Sequence, residues 1–153
     1  QRQMCIRDRV MIGLGCDHGG LELKNVIIDY LKKNGIEYKD YGTYTSESVD
    51  YPKYAKLVAN AVASGECDRG ILICGTGIGI SIAANKVKGI RCALCHDVFS
   101  AKATREHNDS NILAMGGRVI GPGPAVEVVK AWLETDFSGD ERHLRRIKMI
   151  EEE

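Results

Sequence analysis

The stretch from Arg69 to Lys86 constrains the fold of this chain more than any other. An apolar run, 71–73, leads into Cys74, and three glycines follow at every second position: Gly75, Gly77 and Gly79. The run is typical of a buried central strand, and the glycines allow a tight turn in which peptide N–H groups converge. Apolar residues then recur at helical spacing, at Ile78, Ile82 and Ala83. We therefore predict a strand, a glycine turn and a helix.

Strand and helix patterns alternate along the rest of the chain. The predicted strands are 10–15, 36–40, 71–73, 89–95 and 112–120, and the predicted helices are 21–34, one from Pro52, one from Ile78, 98–106, 122–133 and 140–150. Such alternation predicts an α/β fold with three layers, a Rossmann-like doubly wound parallel sheet of about five strands, and a C-terminal helix. Ligands of such sheets bind beyond the carboxyl ends of the strands.

The length of the chain, 153 residues, fits a single domain. Residues 1–9 show no periodic pattern and are predicted to be a leader outside the domain or an artefact of the sequence start, with Met11 as a candidate natural start. The domain itself is predicted to span 10–153.

Charge and cysteine usage limit the class of function. Lys plus Arg and Asp plus Glu each number 21, so the formal net charge is zero. This balance gives no indication of a nucleic-acid or membrane partner, and no apolar run reaches membrane-spanning length. Six cysteines are scattered without a disulfide framework: Cys5, Cys16, Cys67, Cys74, Cys92 and Cys95. That pattern favours reduced thiols and a cytoplasmic location.

The predicted strand ends collect chemically active side chains. Cys74 would face the peptide donors of the glycine turn and the positive end of the following helix, an environment that favours a thiolate and stabilises an oxyanion. Asp17 and His18 follow the first strand, while His107 and Asn108 precede a later one and could fold over a pocket. The competing interpretation is that Cys74 is a small buried core residue and that the histidines are solvated.

Three other motifs suggest alternative functions. The segment 13–18 begins like a dinucleotide fingerprint but has His18 in place of the third glycine. A thiol phosphatase needs an arginine where this chain has Ile80. The Cys92 to His96 segment has the spacing of a haem attachment site, but residues three apart on a strand point to opposite faces. Two core cysteines are therefore favoured over haem or a redox motif.

The last predicted helix carries arginines at positions that share one face: Arg142, Arg145 and Arg146. Leu144, Ile147 and Ile150 form a separate apolar stripe. The basic face is either solvated or binds a phosphate, which an arginine pair grips in bidentate fashion. The helix is also suited to pack on a second subunit and place its arginines there.

Several segments, taken together and in order, resemble the type B ribose-5-phosphate isomerases, a sugar-phosphate isomerase family that includes galactose-6-phosphate isomerase subunits. The segments are 15–18, 50–52, 70–86, 89–91, 107–109 and Asn111. The resemblance covers about residues 10–150, and its Cys-Gly-Thr-Gly-x-Gly segment is highly specific.

The resemblance implies reversible isomerisation of ribose 5-phosphate and ribulose 5-phosphate through an enediolate, with no metal and no organic cofactor. It implies that Cys74 is the base at C2 and that His107 assists ring opening. The chemistry of the reaction suggests Thr76 as a hydrogen-bond partner or as an aid to proton return. The implied substrate-binding residues are Asp17, His18, Tyr51, Gly75, Thr76, Gly77, Ile78, Gly79, Asn108, Arg118, Arg142 and Arg146.

The resemblance also implies a homodimer with sites between its subunits, with a tetramer as a further possibility. Two alternatives to a pentose-phosphate enzyme stay open at this point. One is a hexose-6-phosphate isomerase acting on allose or galactose 6-phosphate, and the other is a non-catalytic nucleotide-binding module. His96, Asp97 and His143 receive no predicted role.

Overall fold

A computed structural model describes residues 10–152 of the chain. The leader prediction for 1–9 lies outside the described residues. Five strands form the centre of the fold: β1 (Met11–Cys16), β2 (Glu37–Asp40), β3 (Arg69–Cys74), β4 (Cys92–Leu94) and β5 (Ile112–Gly116). Six helices accompany them: α1 (Leu21–Lys33), α2 (Tyr51–Ala63), α3 (Ile78–Ala84), α4 (Val98–Asn108), α5 (Pro122–Glu134) and α6 (Glu141–Glu151).

All strand pairs are parallel, and the order across the sheet is β2-β1-β3-β5-β4. This confirms the predicted α/β fold with a five-stranded parallel sheet, flanking helices and a C-terminal helix. β3 lies at the centre, so its apolar run is covered on both faces, as the sequence predicts.

The two faces of the sheet support two separate cores. On one face α1 and α5 pack on side chains such as Ile71 and Ile73, with Trp132 fully buried among them. On the other face α2 and α3 pack on Leu72 and Cys74. The period-2 alternation of β3 therefore turns Cys74 toward the side of the sheet that holds α2 and α3.

Two predicted strands are shorter in the structure. The strand expected over 89–95 is confined to Cys92–Leu94, and the strand expected to continue to Ile120 ends at Gly116. The extension is wrong because the Gly117 N–H donates to the Cys74 carbonyl and the Arg118 N–H donates to the Gly75 carbonyl. These bonds turn the chain across the end of β3.

Cys92 and Cys95 belong to opposite cores, as their spacing predicts. Cys95 is part of the α1 and α5 side, whereas Cys92 packs against the α2 and α3 side. The described cysteines are all free thiols. Among residues 10–152, none of the helices has both the length and the apolar character that a membrane crossing requires.

Lys24 is a buried cation that ties the loop after β2 to the rest of the domain. Its side chain is 1 % exposed, and Nζ donates to Asp40 Oδ1 and to the Thr43 carbonyl, each at 2.6 Å. The buried ammonium group is thereby paired and hydrogen-bonded, which a buried lysine requires. The loop is thus fixed beside the carboxyl end of β1.

Gly20 makes a close backbone contact beneath the loop that follows β1. A Cβ at this position would lie 2.5 Å from the Ile73 carbonyl oxygen, which belongs to β3. We expect Gly20→Ala to lower the free energy of unfolding by about 2 kcal/mol, because backbone on one side must move. Chemical denaturation measures this.

Gly123→Ala is the matched control, since no heavy atom lies within 4 Å of its Cβ position in α5. That change should leave stability equal or slightly raised. Both variants must be compared at one protein concentration, because association shifts apparent stability. Equal stability of the two variants would contradict the packing described here.

Candidate active site

Cys74 is the last residue of β3 and pairs with Gly116 of β5. The residue is 5 % exposed, and its Sγ accepts a hydrogen bond from the Gly77 N–H at 3.1 Å. Gly77 has φ +80°, and a Cβ there would lie 2.6 Å from the Met115 carbonyl carbon. Only glycine satisfies both conditions. The glycine turn therefore brings a peptide donor to the sulfur.

Asp17 and His18 lie beside this turn, at the end of β1. The Asp17 N–H donates to the Ile73 carbonyl (3.2 Å), and its Oδ1 accepts from the Gly19 N–H (2.9 Å), capping a one-turn 3₁₀ helix, His18–Gly20. His18 Nδ1 accepts from the Val49 N–H at 3.2 Å. In the neutral ring the proton is then on Nε2, which leaves a donor for a ligand.

Tyr51 and Arg118 border the same turn. The Tyr51 ring packs on Gly79, where a Cβ would lie 2.5 Å from Cζ. Arg118 Nη1 is 3.5 Å from the Cβ position of Gly75. We call this group the thiol cluster: Asp17, His18, Tyr51, Cys74, Gly75, Thr76, Gly77, Ile78, Gly79 and Arg118.

The outer part of the thiol cluster is open to solvent. Thr76, Ile78 and Arg118 are exposed, and Thr76 Oγ1 accepts from the Ile78 N–H at 3.2 Å. Cys74 thus lies beneath a layer of exposed polar and apolar side chains.

His107 and Asn108 are the last residues of α4, and both are exposed. The Asn108 carbonyl accepts from Arg91 Nε at 2.9 Å. Arg91 directly precedes β4, so this contact places the end of α4 at the amino edge of the sheet. The helix then stops at Asp109, which adopts the left-handed conformation with φ 47°.

The C-terminal helix α6 lies against the end of α4. The His143 ring stacks on the His107 ring, with centroids 4.4 Å apart and an angle of 22° between the planes. Arg142 and Arg146 are exposed on the same helix. We call this second group the arginine cluster: His107, Asn108, Arg142, His143 and Arg146.

The two clusters are at opposite edges of the sheet. Cys74 pairs with the last residue of β5, whereas the arginine cluster lies near its first residue, Ile112. Four steps of about 3.3 Å along β5 separate the two edges by roughly 13 Å. A single chain therefore brings most of the predicted site residues together around Cys74, but it does not bring His107, Asn108, Arg142 or Arg146 to that cluster.

A cavity of about 580 Å³ lies at the amino edge, whereas the sequence predicts ligand space at the carboxyl edge. Arg91, Asn108 and Glu151 are part of its lining. None of its lining residues belongs to the thiol cluster.

Two histidines without a predicted role take part in these arrangements. His96 Nε2 accepts from the Gly116 N–H at 2.9 Å, which holds the end of β5 beside Cys74, and burial lowers the pKa of His96. His143 is 8 % exposed in the arginine cluster. The position of His96 directly after a strand was a usable signal, because it places the ring at the same edge as Cys74. Within residues 10–152, no three His, Cys, Asp or Glu side chains are grouped as metal ligands would be.

Comparison with known proteins agrees with this architecture. The family model for the ribose/galactose isomerases matches residues 12–150. Ribose-5-phosphate isomerase B of Escherichia coli strain K12 is 52 % identical over 139 residues, which are 91 % of this chain and 93 % of that protein. Galactose-6-phosphate isomerase subunit LacB of Clostridium acetobutylicum is 42 % identical, over 94 % of this chain and 83 % of that subunit.

The solved structure of ribose-5-phosphate isomerase B from Clostridium thermocellum superposes with a TM-score of 0.91 at 57 % identity, over 92 % of this chain and 95 % of that one. Identity of this extent over nearly the whole domain favours an enzyme over the nucleotide-binding module. The chain belongs to the ribose/galactose isomerase family and is a sugar-phosphate isomerase.

Proposed function

We propose that this enzyme interconverts ribose 5-phosphate and ribulose 5-phosphate, with Cys74 as the base. The observation that carries the proposal is the peptide N–H of Gly77 aimed at the sulfur at a sheet edge that also holds Asp17 and His18. The sulfur acts there as a hydrogen-bond acceptor, as a thiolate base does. The relative from Escherichia coli, named for ribose 5-phosphate, supports the choice of substrate.

The proposed proton transfer proceeds on the open-chain sugar. The thiolate of Cys74 takes the proton from C2, the C2–H electron pair forms the C1=C2 bond, and the negative charge moves to O1. The proton then returns to C1, while the hydrogen on O2 moves to O1 and leaves the ketone at C2. The exposed hydroxyl of Thr76 is suited to assist this return. Peptide donors of the 75–79 turn stabilise the charge on the enediolate.

His107 opens the furanose ring in this proposal. Opening breaks the bond between C1 and the ring oxygen, which takes one proton, while the anomeric hydroxyl releases one to water and becomes the aldehyde. An imidazolium can supply the first proton. Arg142 and Arg146 bind the phosphate from one side and Arg118 from the other, so that binding energy remote from the reacting carbons positions the sugar.

A complete site requires two copies of the chain, since one chain keeps the two clusters apart. Exposed apolar side chains accompany both clusters: Ile78 (51 %) and Ile82 (57 %) on α3, and Leu144 (47 %) and Ile150 (59 %) on α6. These side chains suit an interface between copies. A two-fold axis would set the thiol cluster of each subunit against the arginine cluster of the other and form two equal sites. A tetramer would be a pair of such dimers.

Hexose 6-phosphates are the alternative substrates within the same mechanism. The relative named as a galactose-6-phosphate isomerase subunit keeps this alternative open. The reacting carbons C1 and C2 are the same in these sugars, whereas a hexose phosphate carries one more hydroxylated carbon between them and the phosphate. We favour the pentose, and we propose a cytoplasmic location because reduced thiols suit that compartment.

Alkylation offers a test of the special environment of Cys74. Burial raises the pKa of Cys16 and of Cys95 to about 11, and it also raises the pKa values of Cys67 and Cys92. Those thiols remain protonated and unreactive near neutral pH. We expect iodoacetamide to modify Cys74 first in a Cys5→Ser background, as measured by peptide mass spectrometry. Modification of Cys16 or Cys95 before Cys74 would count against Cys74 as the reactive thiol.

The isomerase assay tests the proposed reaction itself. Purified enzyme in EDTA should equilibrate ribose 5-phosphate with ribulose 5-phosphate, and Cys74→Ala should lower kcat at least about a hundredfold because the base is lost. Cys92→Ala, which removes a thiol from the edge strand, is the matched control and should keep its activity. Near-normal turnover by the Cys74→Ala enzyme would remove Cys74 as the base.

The same assay with allose and galactose 6-phosphate decides between the sugar classes. The proposal predicts a higher kcat/KM for ribose 5-phosphate than for either hexose phosphate. The opposite order would replace the pentose assignment by a hexose one while leaving the thiol chemistry intact.

A further inference from the structure

His143 differs in burial from the helix around it. Its side chain is 8 % exposed, whereas Arg142, Leu144, Arg145 and Arg146 are all exposed. The ring is covered because it lies flat against His107, with the centroids 4.4 Å apart. The stack joins α6 to the end of α4, so it is the contact by which the C-terminal helix reaches the proposed ring-opening residue.

Hydrogen bonding determines the protonation state of His143. Its Nε2 lies 3.3 Å from Arg142 Nη2. A guanidinium only donates, so Nε2 accepts, the ring is neutral, and its proton is on Nδ1. Burial lowers the pKa of His143, and the charges of His107, Arg142 and Arg146 lower it further, while Asp140 opposes them.

A neutral ring at this position has two consequences for His107. His107 is exposed on a helix end, where an unsupported side chain would sample several rotamers; a flat aromatic neighbour restricts the plane of its imidazole. Two imidazolium rings in contact would repel each other. A neutral His143 therefore places no like charge beside His107.

We propose that His143 is a positioning residue for ring opening: its uncharged ring fixes the orientation of the His107 imidazole and its Nε2 fixes the guanidinium of Arg142. This inference rests on the proposed function, because it assigns the purpose of the stack to the opening of the sugar ring. His143 and Cys74 then act in different steps, because the proton transfer by Cys74 takes place on the sugar after the ring has opened.

Two substrates separate these steps. Ribose 5-phosphate enters as a ring, whereas ribulose 5-phosphate is open, since its O5 is blocked by the phosphate. The conversion of ribose 5-phosphate reports both steps. Exchange of deuterium from D₂O into C1 of ribulose 5-phosphate, followed by NMR, reports the proton transfer alone.

We expect His143→Ala to lower kcat for ribose 5-phosphate at least about tenfold while deuterium exchange into ribulose 5-phosphate stays near the wild-type rate. His143→Phe keeps an aromatic ring against His107, so it should restore most of kcat. It should raise KM, because Arg142 loses its acceptor. Lys148→Ala, an exposed change on the same helix, is the control and should match wild type in both assays.

Three results would overturn the inference: an unchanged kcat in the Ala variant, an equal loss of conversion and exchange, or a Phe variant as slow in kcat as the Ala variant. Thermal unfolding checks that each variant is folded, and the Phe variant keeps the test decisive if the Ala variant is not. A wild-type enzyme with neither conversion nor exchange would instead refute the proposed function. The experiment therefore distinguishes failure of the His143 inference from failure of the proposed function.

Discussion

The direction of the connecting helices in a parallel sheet controls where the proposed site residues of this enzyme lie. A chain that leaves a strand at the carboxyl edge must return through its helix to the amino edge before the next parallel strand begins. Cys74 ends a strand, and His107 ends a helix. The fold therefore places the proposed base and the proposed ring-opening residue at opposite edges, whatever their side-chain chemistry.

Each edge is arranged by a few specific contacts. At the carboxyl edge, Gly116 is held by His96, and the chain turns so that the Gly117 N–H reaches the Cys74 carbonyl. At the amino edge, Arg91 holds the end of α4 through the carbonyls of Asn108 and Asp109 and pairs with Glu151 of α6. Arg91 thus ties the C-terminal helix to the sheet, which fixes the arginines that the proposed mechanism uses.

The sequence predicts the central part of the fold well because local signals and tertiary contacts agree there. The apolar run before Cys74 and the glycines after it indicate a strand and a turn. The tertiary contacts of Gly77 also require glycine at that position. Local signals and the structure disagree where a long-range hydrogen bond determines the path of the chain. Nothing local in Gly116 to Ile120 shows that Gly117 bonds to Cys74, so a continued strand was the natural prediction. The burial of His143 likewise depends on α4, a separate element, so the residue pattern of α6 alone does not predict it.

In the proposed enzyme, each working site takes its thiol from one subunit and its imidazole and arginines from another. Mixing unfolded Cys74→Ala and His107→Ala proteins in equal amounts and refolding them tests it directly, since each variant alone lacks one half of every site. Random pairing would give one intact site in each mixed dimer, and isomerase activity should recover to about a quarter of the wild-type value. Activity that stays at the level of the separate variants would contradict a site shared between subunits.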